Sequence, residues 1–411
     1  MKNKLYSKKN LLNNKIYVTI ILIILIVLII QYTNTSYYLA YTIDYLLNRN
    51  TYNFKEEAQY KDNSINQNDY FLTTFMKNYR NKILENMPVI KSKPLPEINI
   101  NELSNEKVAE VSHNFTQPFI VRGLIKDFEC VKKWDLNYFE KEYGDIEVPA
   151  FSVTDNTVAY SKNTSTKIKQ CNNSNFCSIK TICQSIRSGE PLYINNISKL
   201  FTDSDQARNE LELDKMSEIM NRKFLSNPKK IDFMSQLFFG GKNTGTSLHC
   251  ASNVNFFFNV KGIKQWGFID PKYTHLINCQ TSSKGLFAVC SDDFFNESEN
   301  NAFLKIPRYE SVLYAGDFLF NPAWYWHAVK NRSDYTIAVA NRYLSDIFLG
   351  FLGVEDIPVP NNNYFFTFLQ LFSPFYYLKF FLFDKTKSLQ HNYGNIVDKE
   401  IIDNISKDKI L

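Results

Sequence analysis

Two stretches of the chain decide its fold: Gly245-Thr246-Ser247-Leu248-His249-Cys250-Ala251 and Gly316-Asp317-Phe318-Leu319-Phe320-Asn321-Pro322-Ala323-Trp324-Tyr325-Trp326-His327. Each reads as a β-strand running into or out of a tight turn, and each carries one histidine. Histidines this far apart in sequence, on such strands, can meet across the mouth of a barrel and hold one metal ion. A two-histidine, one-carboxylate iron site also needs an Asp or Glu near the first histidine. Side chains return to the same face of a strand two residues on, and there the chain has Ala251.

Around these stretches the pattern is one of short strands. Residues 233–239, 254–260, 265–269, 311–314, 317–320 and 336–343 read as strands with Gly, Pro and Asn between them, which predicts a sandwich or barrel. Aromatic content of 15%, with 34 Phe and 25 Tyr, favours β structure over a helical bundle. Helices are expected at 102–112, from Trp134 with Asp135 as the cap, at 178–187 and at 204–222. A length of 411 residues suits one large domain with appendages, and 44% hydrophobic residues are ample for its core. The net charge of +5 is weak for this length. No Lys/Arg stripe interleaved with aromatics stands out, so nucleic acid is not an expected partner.

Between the two histidines lies a second set of polar residues. Asn255 and Phe257 alternate along one strand and share a face, with Phe256 and Phe258 on the other. Gly262 makes the turn, and Lys264 and Trp266 follow. A lysine at one end of a barrel wall is placed to pair with a carboxylate of a small acid inside, and Thr246 can add a hydroxyl hydrogen bond. The same spacing also suits an ordinary hairpin with a solvated lysine.

Thr246, His249, Asn255-x-Phe257, Gly262-x-Lys264-x-Trp266 and Pro271 together resemble a segment of the cupin-like, JmjC-related Fe(II)/2-oxoglutarate dioxygenases. The stretch from Gly316 to Val329 is similar to that family's second metal-ligand segment. Residues 337–341 are similar to its last barrel strand, and 118–123 with Trp134 to its N-terminal region. The resemblance runs from Pro94 to Tyr343. It implies a mainly β fold with flanking helices, a double-stranded β-helix (cupin, jelly-roll) with the metal at one mouth. It further implies His249 and His327 as iron ligands, and Lys264 on the distal carboxylate of 2-oxoglutarate with Thr246 assisting. Asn255 and Asn341 would line the site, and Phe257 would pack beside the cosubstrate. The activity implied is oxidation of a C–H bond, as a hydroxylase of a protein or glycan-linked substrate.

The departure is Ala251, where the family pattern is His-x-Asp/Glu. Three readings follow. Iron binds through two histidines, 2-oxoglutarate and water; or a halide fills the vacancy, as in 2-oxoglutarate halogenases, which carry a small residue there; or the domain is a pseudoenzyme that keeps the pocket as a binding or scaffold module. Cys250 points to the opposite face of a regular strand, and residues 252–255 hold no carboxylate. Asp317 is read as serving the turn before its strand, and Trp324, Tyr325 and Trp326 as wall packing around His327.

The remaining organisation is read from composition. Residues 1–15 are a basic tail, with Lys2, Lys4, Lys8, Lys9 and Lys15. Residues 16–33 contain an uncharged apolar run close to the roughly 20 residues needed to cross a hydrocarbon core of about 30 Å. With no small-residue cleavage site following, they read as a signal-anchor. The positive-inside rule then puts the N-terminus in the cytosol and the large domain in a lumen or outside the cell, as a type II membrane protein. Residues 34–93 are expected to be a polar stem or linker, 94–345 the cupin-like domain, and 346–411 an aromatic-rich helical region. That last region is expected to dock on the barrel or on a second copy in a homodimer, or to touch the membrane surface. Of seven cysteines, Cys171/Cys177 and Cys279/Cys290 are close enough for local disulfides, with reduced thiols as the alternative.

Overall fold

The computed structural model describes residues 34–48, 71–153, 166–223 and 233–343, apart from short gaps inside the last two, together with Phe365, Leu369 and Gln390. Eight strands build the barrel: β1 (Met234–Gly241), β2 (Gly245–Ala251), β3 (Val254–Lys261), β4 (Lys264–Ile269), β5 (Arg308–Leu313), β6 (Phe318–Asn321), β7 (Trp326–Asn331) and β8 (Tyr335–Tyr343). They form two facing antiparallel sheets, in the orders β6-β3-β8-β1 and β2-β7-β4-β5. This is the jelly-roll arrangement with flanking helices. The first sheet is widened by Glu97–Ile98 and Phe119–Val121 on one edge, and by Leu192–Ile197, Phe151–Val153 and Thr166–Ile168 on the other. The second is widened beyond β2 by Phe287–Cys290 and Cys279–Thr281.

Strand alternation sorts the aromatics into two cores. Phe257, Trp266, Phe268, Leu319, Val329, Ala338 and Ala340 come from both sheets and pack between them. Phe256, Phe258, Phe318 and Phe320 point the other way, into the larger core beneath the helices, where Phe258 meets Phe128 edge-on. Successive β3 residues thus serve different cores, and a one-residue slip of register would exchange them. At the β3–β4 turn Gly262 has a φ of +78°, and a Cβ there would lie 2.2 Å from the Tyr335 carbonyl oxygen.

The flanking helices follow the expected caps. Asp135 accepts from the Tyr138 N–H at the start of Leu136–Glu142, and Ser178 accepts from the Thr181 N–H at the start of Ile179–Arg187. The expected helix over 204–222 is split into Asp205–Glu210 and Leu213–Lys223. Between them, Glu212 adopts a φ of +47°.

The stem expectation is corrected. Within 34–93 the structure has two helices, Thr35–Asn48 and Phe71–Glu85. The first carries Tyr37, Tyr41 and Tyr45 at four-residue spacing, so the three side chains line one face. All three are buried in the larger core. Tyr41 Oη lies 2.7 Å from Thr281 Oγ1, and Tyr79 Oη donates to Asn34 Oδ1 across the helix pair. A tyrosine face reads as polar in composition, yet each ring buries a large apolar area with only its hydroxyl needing a partner.

The apolar run 16–33 lies outside the described residues, and among those that are described no helix is long and apolar enough to cross a membrane. Most of 346–411 also lies outside them. Its described residues meet the chain's own domain: Phe365 packs on Tyr38 with ring centroids 4.7 Å apart, and Gln390 bonds the Ser235 backbone through both ends of its amide. Cys171 and Cys177 form a disulfide. Cys279 and Cys290 face each other in register across their two strands, but no disulfide joins them.

Candidate functional site

His249 on β2 and His327 on β7 are directly opposed in the register, and their ring centroids lie 4.1 Å apart. The register slips between His327/His249 and Val329/Thr246, so β2 carries one residue more than β7 over this interval. That bulge has a consequence for side chains. Residues three apart on a regular strand face opposite ways, but here Thr246 and His249 both turn toward the interior while Leu248 and Cys250 enter the outer core.

Both histidines are held in the same tautomer. Nδ1 of His249 lies 2.9 Å from the Ser247 carbonyl oxygen, and Nδ1 of His327 lies 2.9 Å from that of Tyr325. A carbonyl oxygen only accepts, so Nδ1 carries the proton and Nε2 keeps its lone pair on each ring. Burial holds both rings neutral. It lowers the pKa of His249 to about 4 and pushes that of His327 well below the ordinary range, where each also feels the positive charge of Arg342. Trp266 stacks beside His327, with centroids 5.7 Å apart.

Farther into the barrel lies a cationic end. Lys264 is fully buried, its Nζ donates to Asn331 Oδ1 at 2.7 Å, and it sits 5.8 Å from the Tyr193 ring centroid. Tyr193 Oη and Thr246 Oγ1 are 3.2 Å apart. No carboxylate among the described residues pairs with Lys264, and burial lowers its pKa to about 7. A buried amine without a counter-charge is costly by several kcal/mol. A ligand carboxylate would relieve that and could also accept from the Tyr193 and Thr246 hydroxyls. The solvated-lysine alternative is therefore excluded.

Two polar atoms on the inward strand faces have no partner, Asn255 Oδ1 and the indole Nε1 of Trp266, while the Asn321 amide lies 3.2 Å from His327 Nδ1 and, with the proton there, turns its oxygen to it. Asn255 and Asn321 face each other across β3 and β6, and Phe257 packs edge-on against Trp266 at 4.7 Å. Buried polar groups are nearly always satisfied in folded proteins. Asn255 and Trp266 therefore offer an acceptor and a donor to whatever polar group, water or ligand, meets them there.

Asn341 does not belong here. It pairs with Phe256 in the register and shares its outward face, where Oδ1 accepts from Ser235 Oγ at 2.7 Å and Nδ2 donates to the Phe256 carbonyl. The next residue, Arg342, is opposite Asn255 and takes the inward face. Its guanidinium is held by two amide oxygens, Gln236 Oε1 and Asn196 Oδ1. Arg342, Tyr193, Asn321 and Asn331 were missed in the sequence. The one available signal was parity: Ala338 and Ala340 are the small residues that fit a crowded barrel interior, which makes 342, not 341, the next inward position.

The remaining assignments keep their places. Asp317 accepts from the Gly123 and Tyr314 N–H groups and pairs with Arg122, so it serves the turn. Trp326 Nε1 donates to Thr274 Oγ1. Ala251 is two residues from His249 beyond the bulge, with its carbonyl accepting from Trp324 N–H at 2.7 Å.

Fe(II) of the family type calls for a carboxylate beside two histidines. Among the described residues no group of three or more His, Cys, Asp or Glu could hold a metal. The donor set is two neutral imidazoles with a methyl group at position 251 and a guanidinium whose charge reaches both rings. That set does not fit a resident dication. The Lys264–Thr246–Tyr193 end does fit a carboxylate.

The family model described as cupin-like domain matches residues 106–346. JmjC domain-containing protein D of Dictyostelium discoideum is 26% identical over 243 residues, which cover 57% of this chain and 52% of that protein. Arginine-specific demethylase JMJ20 of Arabidopsis thaliana is 27% identical over 111 residues, covering 26% of this chain and 23% of that protein. The chain thus spans about half of the first relative and about a quarter of the second. Barrel topology, the histidine pair and the match over more than half of the chain agree: this protein belongs to the cupin-like, JmjC-related family, the kind that typically works with Fe(II) and 2-oxoglutarate.

Proposed function

We propose that this protein is a 2-oxoglutarate-binding domain on an oxygenase-type barrel, one that keeps the cosubstrate pocket without a resident iron. The observation that carries this reading is Lys264. A fully buried amine beside the Tyr193 and Thr246 hydroxyls, with no carboxylate to pair it among the described residues, is a receptor for the far carboxylate of a small dicarboxylic acid. Calorimetric titration of 2-oxoglutarate into the full chain tests it. Saturable binding that disappears in Lys264→Met supports the reading, and equal binding by Lys264→Met overturns it.

A second reading is favoured by the matched tautomers of His249 and His327, which leave an Nε2 lone pair on each ring. Under it the domain is a 2-oxoglutarate-dependent oxygenase, hydroxylating a protein or glycan-linked substrate on a two-histidine site. Fe(II)-dependent release of succinate by the full chain, abolished in His327→Ala, would establish this reading over the first. Its absence would leave binding as the function.

The cellular setting is part of the proposal. Residues 16–33 anchor the chain in a membrane, with the barrel in a lumen or outside the cell. The charge asymmetry around that run and the Cys171–Cys177 disulfide support this placement.

A further inference from the structure

We infer that the outer face of the helix Thr35–Asn48 rests on a lipid bilayer, with Leu39, Ile43 and Leu46 sunk at its surface. The inference rests on the proposed anchor at 16–33 and says how the barrel domain sits against that membrane. The inner face of this helix is already used: Tyr37, Tyr41 and Tyr45 are buried in the larger core, and Tyr41 meets Thr281. The exposed residues described on its other side are Thr35, Leu39, Ile43 and Leu46. Steps of four, four and three residues keep them on one face. A helix face turned to water ordinarily carries charged and polar groups. This one carries three large aliphatic side chains, 50%, 40% and 38% exposed. Among the described residues six large apolar side chains are exposed, so half of them stand in this single stripe. Such clustering marks a contact surface.

The position of the stripe selects lipid as its occupant. A single residue, Asn34, separates the apolar run 16–33 from the start of the helix. Leu39 is about 6 Å and Leu46 about 17 Å along the helix from Thr35, at roughly 1.5 Å per residue. A helix that turns along the bilayer surface from the end of the run therefore lays the whole stripe on it. Amphipathic helices lie in the interface plane in this way, with their apolar side chains at the headgroup boundary. Phe365 packs on Tyr38 and Tyr41, and the stripe stays exposed beside it, so this docked part of the C-terminal region does not cover it. With one face on lipid and the other in the core, the helix holds the barrel at a set orientation to the bilayer. None of the exposed residues of the stripe is charged, so neutral lipid suffices.

The test is site-directed fluorescence on the full chain reconstituted in phosphatidylcholine vesicles, with and without a phosphatidylcholine that carries a nitroxide quencher near the top of its acyl chain. Ile43→Cys and Leu46→Cys each receive a polarity-sensitive dye. Labelling is selective, since five of the seven native cysteines are buried and Cys171 and Cys177 form the disulfide. Lys141→Cys, at a side chain 81% exposed, is the control. The expected result is blue-shifted emission and loss of intensity to the lipid quencher at both stripe positions, and neither change at the control. Leu46→Cys is the stringent position, because it is farthest from the anchor and mere tethering does not bring it to lipid. Water-like, unquenched emission at Leu46→Cys overturns the inference, as does equal quenching at the control. Blue-shifted emission that the lipid quencher leaves untouched also overturns it, and points to protein cover by a second copy or by residues 346–411. Alkaline carbonate extraction keeps the two readings apart. A chain that stays in the membrane pellet with an unquenched stripe loses this inference alone, whereas a chain released by carbonate loses the anchor and the inference with it.

Discussion

At the scale of single residues, two positions carry the proposed chemistry, Ala251 through its missing carboxylate and Lys264 through its burial. Ala251→Asp places a carboxylate two residues from His249 on the same strand face. It is expected to raise affinity for Co(II) or Mn(II) by at least about tenfold, since an opposite charge at roughly 4 Å is worth about 1–4 kcal/mol. Visible absorption of the Co(II) complex measures this, and an unchanged spectrum would show that the pair cannot close on a metal. Lys264 governs pH dependence. Its folded pKa of about 7 lies below the ordinary 10.5, so between these values the unfolded chain holds more protons and stability rises with pH. A bound carboxylate favours the protonated amine, so 2-oxoglutarate affinity is expected to fall as pH rises above about 7. Proton uptake on binding at pH 8, read from calorimetry in buffers of different ionisation enthalpy, checks this. The histidines act at the other end of the scale. Their lowered pKa values mean that stability fully present above pH 6.5 is lost as pH falls, through about 4 for His249 and in the same direction for His327. His249→Asn, which removes one of the two buried bases, should reduce that acid sensitivity in pH-dependent melting curves.

At the scale of elements, the bulge in β2 and the turn at Gly262 set the site's geometry. The bulge brings Thr246 and His249 to one face, and the turn delivers Lys264 to the barrel interior. Gly262→Ala introduces a Cβ against the Tyr335 carbonyl at a positive φ, so it is expected to destabilise by more than about 1 kcal/mol. Chemical denaturation measures that loss, and a neutral result would mean the turn can reshape. The helix Thr35–Asn48 is the other element whose role was not visible in advance. Tyr37→Ala removes a buried aromatic from the larger core and is expected to lower stability by roughly 3–5 kcal/mol, as for other large-to-small aromatic changes. If the helix were only a tether, the same substitution would leave the midpoint of unfolding unchanged.

At the scale of the whole molecule, the disulfide, the docked helices and the apolar run 16–33 belong to one expectation about topology. A glycosylation reporter fused after Leu411 should be modified if the barrel is lumenal, and a protected, unmodified reporter would refute the type II arrangement. The barrel itself was legible in the sequence. Strand alternation between two cores, the turn at Gly262 and two histidine-bearing strand ends follow from residue types at fixed spacing, because a strand's period of two is set by its own backbone. The vacancy at Ala251 was equally legible, since only parity along one strand was needed. Other features depended on registers between strands that no single strand encodes. Arg342 instead of Asn341 faces the site because β8 pairs with β3 at one register, and Thr246 joins His249 because β2 bulges against β7. Tyr193 meets Lys264 from a strand outside the barrel's eight. The sequence by itself determined the strand pattern of the fold and the methyl group two residues after His249, because local patterns decide both. Only the tertiary structure decided which side chains share the barrel interior, because that depends on pairing and burial between segments distant in the chain.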